Sequence, residues 1–179
     1  MTLLSSIIGG GSSSSGISEL EIKADEMSLD DTIIGVDYGT AFNMYPTCDF
    51  GSSASGAIWI DVNFPTGWLI TKDVVFEINY SLNGVDNAKN VKLNANVWSI
   101  NSAELPLSTT PDATSTDTII SAAANTNAFT NLALTNIKVP LATLSASTKS
   151  ISLQLMRDVT VASNYGGTLQ LISVRVKQV

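Results

Sequence analysis

From Ala57 to Leu82 the chain reads AIWIDVNFPTGWLITKDVVFEINYSL, with strict two-residue alternation on either side of its middle. Ile58, Ile60, Val62 and Phe64 alternate with Trp59, Asp61 and Asn63, and Val74, Phe76, Ile78, Tyr80 and Leu82 alternate with Val75, Glu77, Asn79 and Ser81. A period of two sends one set of side chains to a buried face and the other to water, so both runs predict strands. Pro65 has no N–H to give a ladder and Gly67 permits the backbone to reverse, so Phe64-Pro65-Thr66-Gly67-Trp68 reads as a corner between them. The stretch predicts two long antiparallel-type strands, the nucleus of a β-sandwich.

At 179 residues the chain holds one sizeable core, so we expect an N-terminal arm over 1–16 and a single sandwich domain over 17–179. Charged residues make up 14%, against ~25% in ordinary domains, so Ser, Thr, Asn, Ala and Gly must supply much of the surface. Such a surface points to coverage by neighbouring subunits. The net charge of −7 and the lack of any basic cluster argue against nucleic acid. No apolar run reaches membrane length.

Cys48 is the single cysteine and His is absent. An intrachain disulfide, a multi-thiolate metal site and the usual His-based general base or triad are therefore excluded. No two acids sit in a recognisable catalytic setting, and no dinucleotide, phosphate-loop or zinc-protease pattern occurs. The reading is a non-enzyme with no cofactor and no metal.

Leu3, Leu4, Ile7 and Ile8 precede Gly9-Gly10-Gly11 and Ser12 to Ser15. This is either an apolar plug on a flexible tether or a frayed terminus. Glu19, Glu21, Asp25, Glu26, Asp30, Asp31 and Asp37 then face only Lys23; no calcium-loop spacing fits them, so a solvated acidic face is expected. Ile17, Leu20, Ile22 and Ala24 mark a first strand, and Met27-Ser28-Leu29 followed by Thr32-Ile33-Ile34 a short second one. Residues 35–56 have no period and read as a long loop, in which Tyr38, Phe42, Tyr45 and Phe50 either anchor the loop over the sandwich end or stack on a sugar ring.

Asn83-Gly84 marks a tight turn. In VKLNANVWSI, Val91, Leu93, Ala95 and Val97 point inward and Trp98 falls on the polar phase, as Trp59 does. Two outward tryptophans need a cover: a loop, another subunit or a glycan. Thr118 to Ile120 gives a further strand, a phase shift between Leu134 and Ile137 reads as a bulge or a short break, and Pro140 restricts that segment's tail to an edge or a strand end. Arg157-Asp158 reads as an ion pair ending the strand with Ile151, Leu153 and Leu155. The last strand is apolar on both phases near its start, which predicts a central or doubly covered position.

Roughly eight strands separated by turn signals fit an all-β, two-sheet antiparallel sandwich, with immunoglobulin-like and jelly-roll routings in view. Ile60-Asp61-Val62-Asn63-Phe64-Pro65 with Trp68, then Val97-Trp98, then Leu153-x-Leu155-x-Arg157-Asp158 and Gly167-x-Leu169-x-Leu171-x-x-Val174-x-Val176 resemble the jelly-roll domains of tailed-bacteriophage virion proteins over about residues 57 to 179. The resemblance implies a jelly roll and a non-enzymatic building block located in the virion. It implies a capsid decoration or cement protein, often trimeric, whose partner is the major capsid protein, with a head or tail fibre subunit as the alternative. Interface candidates are then Leu3, Leu4, Ile7, Ile8, Trp59 and Trp98. The rival reading is a carbohydrate-binding module, with Tyr38, Tyr45 and Trp68 as stacking candidates and a glycan as partner.

Overall fold

The computed structural model describes residues 19–30, 33, 35–65, 68–84, 89–101, 110–114, 118–122, 125–129, 131–140, 142, 144 and 148–179. The proposed arm, with Leu3, Leu4, Ile7 and Ile8, lies outside these residues. Among them the chain forms twelve strands: β1 Glu19–Lys23, β2 Ser28–Leu29, β3 Val36–Ala41, β4 Tyr45–Phe50, β5 Gly56–Asn63, β6 Val74–Asn83, β7 Asn90–Asn101, β8 Ala113–Thr114, β9 Thr118–Ser121, β10 Ala133–Val139, β11 Thr148–Asp158 and β12 Thr168–Gln178. Two 3-10 turns, Ala24–Glu26 and Thr126–Phe129, lie between them. No described helix is long and apolar enough to cross a membrane.

The strands make two antiparallel sheets of six. One runs β10-β6-β12-β4-β3, with β1 beside β12; the other runs β2-β5-β11-β7-β8, with β9 beside β7. From β5 to β6 to β7, and again from β9 through β10 and β11 to β12, the chain switches sheet at each step. This is a jelly-roll-like sandwich. The alternating residues of the central stretch behave as their period requires: Ile58, Ile60, Phe76, Ile78 and Tyr80 are wholly buried in one core, with Leu93, Leu153, Leu155, Leu169 and Val174. β5 and β6 do not pair with each other, because the corner between them carries the chain from one sheet to the facing one.

Three local expectations are corrected. Residues 35–56 are not a loop, since β3 and β4 form a hairpin within them with Ala41 opposite Tyr45. The segment Ala133–Val139 pairs with β6 without a register shift, so there is no bulge between Leu134 and Ile137. Leu132 and Leu134 simply face outward, 41% and 60% exposed, while Ile137 and Val139 are buried. Arg157 does not pair with Asp158; the two point to opposite faces, and Asp158 binds Lys92 at 2.8 Å instead.

The bulge lies in β12, where the register to β6 slips between Leu171 and Ser173. One extra residue reverses the phase, so Leu169 and Leu171 before it and Val174 and Val176 after it all enter the core. The strand is central, as its two apolar phases suggested, and the bulge explains the pattern. β10 is an edge strand and Pro140 follows its last residue, where no ladder donor is needed.

Candidate functional site

The outer face of the β5-β11-β7 sheet carries both tryptophans of the outward phase. Trp59 and Trp98 lie on strands separated by β11, and their rings meet over it with centroids 5.0 Å apart and planes tilted by 43°. Trp98 is only 9% exposed. Trp59 donates Nε1–H to Asp30 Oδ2 at 3.1 Å, and Gln154 donates to the same oxygen at 2.8 Å. Gln154 in turn accepts from Asn96, and Asn96 accepts from Thr114. Ser152 donates to Asp61 beside this row. The cover expected for the tryptophans is thus supplied within the chain, each ring covering the other. As interface candidates they offer little free ring surface.

The third tryptophan is also withdrawn. Trp68 is 7% exposed and packs on Phe64 at 5.3 Å, so it is corrected from stacking candidate to core residue. Phe50 is wholly buried.

Exposed aromatic surface collects instead on the β3-β4 hairpin. Tyr38 is 58% exposed, Phe42 42%, Met44 71% and Tyr45 40%. The turn between the strands is closed by Met44 N–H donating to Ala41 O at 3.1 Å, with Phe42 at φ 53° and Asn43 at φ 56°. Asn tolerates the left-handed region and Phe does not, so the tip holds a strained aromatic in water. Tyr38 belongs to the exposed edge strand, yet its hydroxyl donates to Met27 O at 2.8 Å, which fixes the ring.

Beside that ring is a depression of about 440 Å³ lined by Asp25, Tyr38, Gly39, Pro46 and Thr47. Asp25 reaches it from the 3-10 turn after β1, and the other four come from the hairpin. A Cβ at Gly39 would fall 2.2 Å from Asp49 Oδ2, so a larger residue there displaces the Asp49 carboxylate. Asp49 accepts the Thr47 hydroxyl at 2.5 Å, and the Gln170 amide lies 3.4 Å from it. Among the described residues no Lys or Arg lines the depression. Its chemistry is an aromatic face, a proline ring, a hydroxyl and the Asp25 carboxylate.

The hairpin is held to the body by an unusual buried cation. Arg157 is wholly buried and donates to Phe50 O at 2.8 Å, Gly167 O at 2.9 Å, Tyr165 O at 2.5 Å and Asn164 Oδ1 at 3.3 Å. Burial pulls its pKa down to about 10. The guanidinium fork suits several fixed acceptors at once, so this one side chain ties the end of β4 to the loop before β12. Cys48 lies under the hairpin, wholly buried, with its thiol toward Ala24 O at 3.5 Å. Desolvation first, then the charges of Asp49 and Asp25, push that thiol up to about 12.

The sequence named Tyr38 and Tyr45, and the structure brings both onto one hairpin. It missed Asp25, Gly39, Pro46 and Thr47, because the acidic segment read as a uniform solvated face. Its acids in fact scatter: Glu19 binds Arg175, Glu21 accepts from Ser173, Glu26 caps the Lys23 amide and Asp30 serves Trp59. Among the described residues no three acidic, His or Cys side chains gather closely enough to hold a metal ion.

No family model and no curated protein sequence matches the chain. Solved structures resemble it in part, at TM-scores below 0.5. A mosquito-larvicidal toxin from Bacillus thuringiensis matches 90% of this chain at 15% identity with a TM-score of 0.49, and the chain spans 23% of that toxin's length. A carbohydrate-binding module specific for non-crystalline cellulose matches 84% of this chain and 86% of its own at 11% identity, TM-score 0.47. A module from Caldicellulosiruptor saccharolyticus in complex with mannohexaose matches 90% and 98% at 14% identity, TM-score 0.45.

Proposed function

We propose that this sandwich is a non-catalytic recognition module that binds carbohydrate in the depression beside Tyr38. One observation carries the reading: the Tyr38 ring is more than half exposed yet pinned through its hydroxyl to Met27 O. A ring already fixed in its presenting orientation loses little entropy on stacking against the apolar face of a sugar. Asp25, on the wall of the same depression, is placed to accept sugar hydroxyls. The experiment is calorimetric titration of gluco-, manno-, xylo- and chito-oligosaccharides against the whole chain and its Tyr38→Ala variant. Binding of one class, weakened about tenfold by loss of the ring, is the expected outcome. Failure of every class to bind ends the reading.

A second reading, a symmetric building block of a phage particle, is favoured by Leu132 and Leu134. They stand 41% and 60% exposed, Leu134 on edge strand β10 and Leu132 just before it, where a neighbouring copy covers them in a trimer. The capsid partner and the virion location belong to this reading, and sedimentation decides it. A mass three times that of the chain favours it, and a monomer at high concentration removes it.

A further inference from the structure

We propose that the sugar bound beside Tyr38 belongs to a neutral glycolipid, and that the tip of the same hairpin enters the lipid surface from which that sugar projects; this rests on the carbohydrate reading above. β4 pairs with β12 from Cys48 to Phe50, whereas β3 and β4 stay paired down to Ala41 and Tyr45. Pro46 has no N–H to offer a ladder, so the hairpin runs on past that point without β12 beside it as a ladder partner. The turn it carries forward is apolar and strained. Phe42, Met44 and Tyr45 are 42%, 71% and 40% exposed, and no charged residue occurs from Tyr38 to Cys48. Phe42 holds φ 53°, a region that an aromatic residue rarely enters. Strain kept at an exposed ring serves contact outside the chain rather than packing within it.

Three side chains fall far short of the roughly 20–30 residues that each side of a stable protein interface contributes. A bilayer asks for no matching surface: Phe42 and Met44 gain by leaving water, and Tyr45, an apolar ring with a polar tip, suits the headgroup level. The chain's net charge of −7 turns it away from anionic lipid, so the surface is a neutral one. Spacing then sets where the sugar stands. Pro46 and Tyr38 lie two to four residues behind the turn, roughly 7–13 Å along the strands. The headgroup layer is only about 5–7 Å deep on each side of a bilayer. With the tip at the hydrocarbon boundary, the depression lies at or just outside the phospholipid headgroups, level with the sugars of a glycolipid.

The test uses the whole chain and the gluco-, manno-, xylo- and chito-oligosaccharides of the calorimetric titration, each free in solution and each coupled to a dipalmitoyl anchor in phosphatidylcholine vesicles. The series that binds free is expected to bind about tenfold more tightly when anchored, read by vesicle co-sedimentation, because the tip side chains add their transfer from water to the contact. Met44→Ser is expected to remove most of that gain while leaving the affinity for the free sugar unchanged, and Met44→Leu to keep it. An anchored sugar bound no more tightly than the free one, or a gain undiminished in Met44→Ser, overturns the glycolipid assignment and leaves the carbohydrate reading standing. Retention on bare phosphatidylcholine vesicles equal to that on sugar-bearing ones makes the tip a lipid probe that needs no sugar, and that also overturns it. No uptake of any sugar, free or anchored, removes both proposals together.

Discussion

Trp59 and Trp98 never share a ladder, yet their rings touch at 5.0 Å across the back of β11, above Ser152 and Gln154. The two residues that the polar phase of their strands assigned to solvent instead roof the central strand of their sheet. Asp30, arriving from beyond β2, holds the roof by accepting from both Trp59 and Gln154.

Removing half of that roof is costly. Trp98→Ala is expected to lower stability by about 3 kcal/mol, and a double-mutant cycle with Trp59→Ala to return a coupling of about 1 kcal/mol. Urea unfolding of the four proteins measures both. Additive losses mean that the ring contact contributes nothing of its own.

Arg157→Met fills the same volume but leaves three backbone carbonyls and Asn164 Oδ1 without their donor. The expected loss is about 3 kcal/mol or more, since buried acceptors keep the full desolvation penalty. Arg157→Lys recovers only part of it, because a point ammonium cannot span acceptors arranged for a planar fork. A methionine variant as stable as wild type removes the role assigned to the guanidinium.

Alkaline unfolding should begin with Cys48. Its thiol titrates near 9.0 when unfolded and is held up to about 12 by burial in the folded chain. Over that interval the folded state binds the extra proton, so stability is complete below pH 9 and falls above it, at up to about 1.4 kcal/mol per pH unit. Tyr80, raised by burial from 10.0 to about 12, adds a second loss above pH 10. Arg157 works in the opposite sense over pH 10 to 12.5, as its folded pKa is depressed. In Cys48→Ala the decline is expected to start near pH 10 instead of 9, read from denaturation midpoints across pH.

Phe42→Gly separates stability from recognition. Glycine enters the left-handed region without steric penalty, so relief at φ 53° is expected to stabilise the fold by about 1 kcal/mol. The hairpin also loses exposed aromatic surface beside Tyr45, so oligosaccharide affinity is expected to drop. A variant that gains stability and binds as wild type places the Phe42 ring outside the site.

Acid weakens one surface tie in a defined window. Hydrogen bonds from Lys92 and Thr160 hold Asp158 down to about 2. Its contribution is complete above pH 3.8 and lost between there and pH 2; for a pair this accessible it amounts to under about 1 kcal/mol. Asp158→Asn should flatten that part of the acid unfolding curve and lower the neutral midpoint by the same small amount.

The residues themselves determined the sandwich. Alternation in 57–82, 91–98 and 151–155 assigns each side chain to a face by local geometry, and no partner strand is needed to read it. The absence of His and the single Cys48 narrowed the chemistry in the same way. Tertiary structure decided what depends on pairing between distant segments. The hairpin at 36–50 has no period of its own and forms because β4 finds β12, with Arg157 gripping its end. The bulge at Leu171/Ser173 follows from which register satisfies two neighbours at once. The tryptophans meet only because β5 and β7 flank the same strand. Periodicity records which way a side chain points; only the assembled sheet supplies what it meets there, because those contacts join residues tens of positions apart.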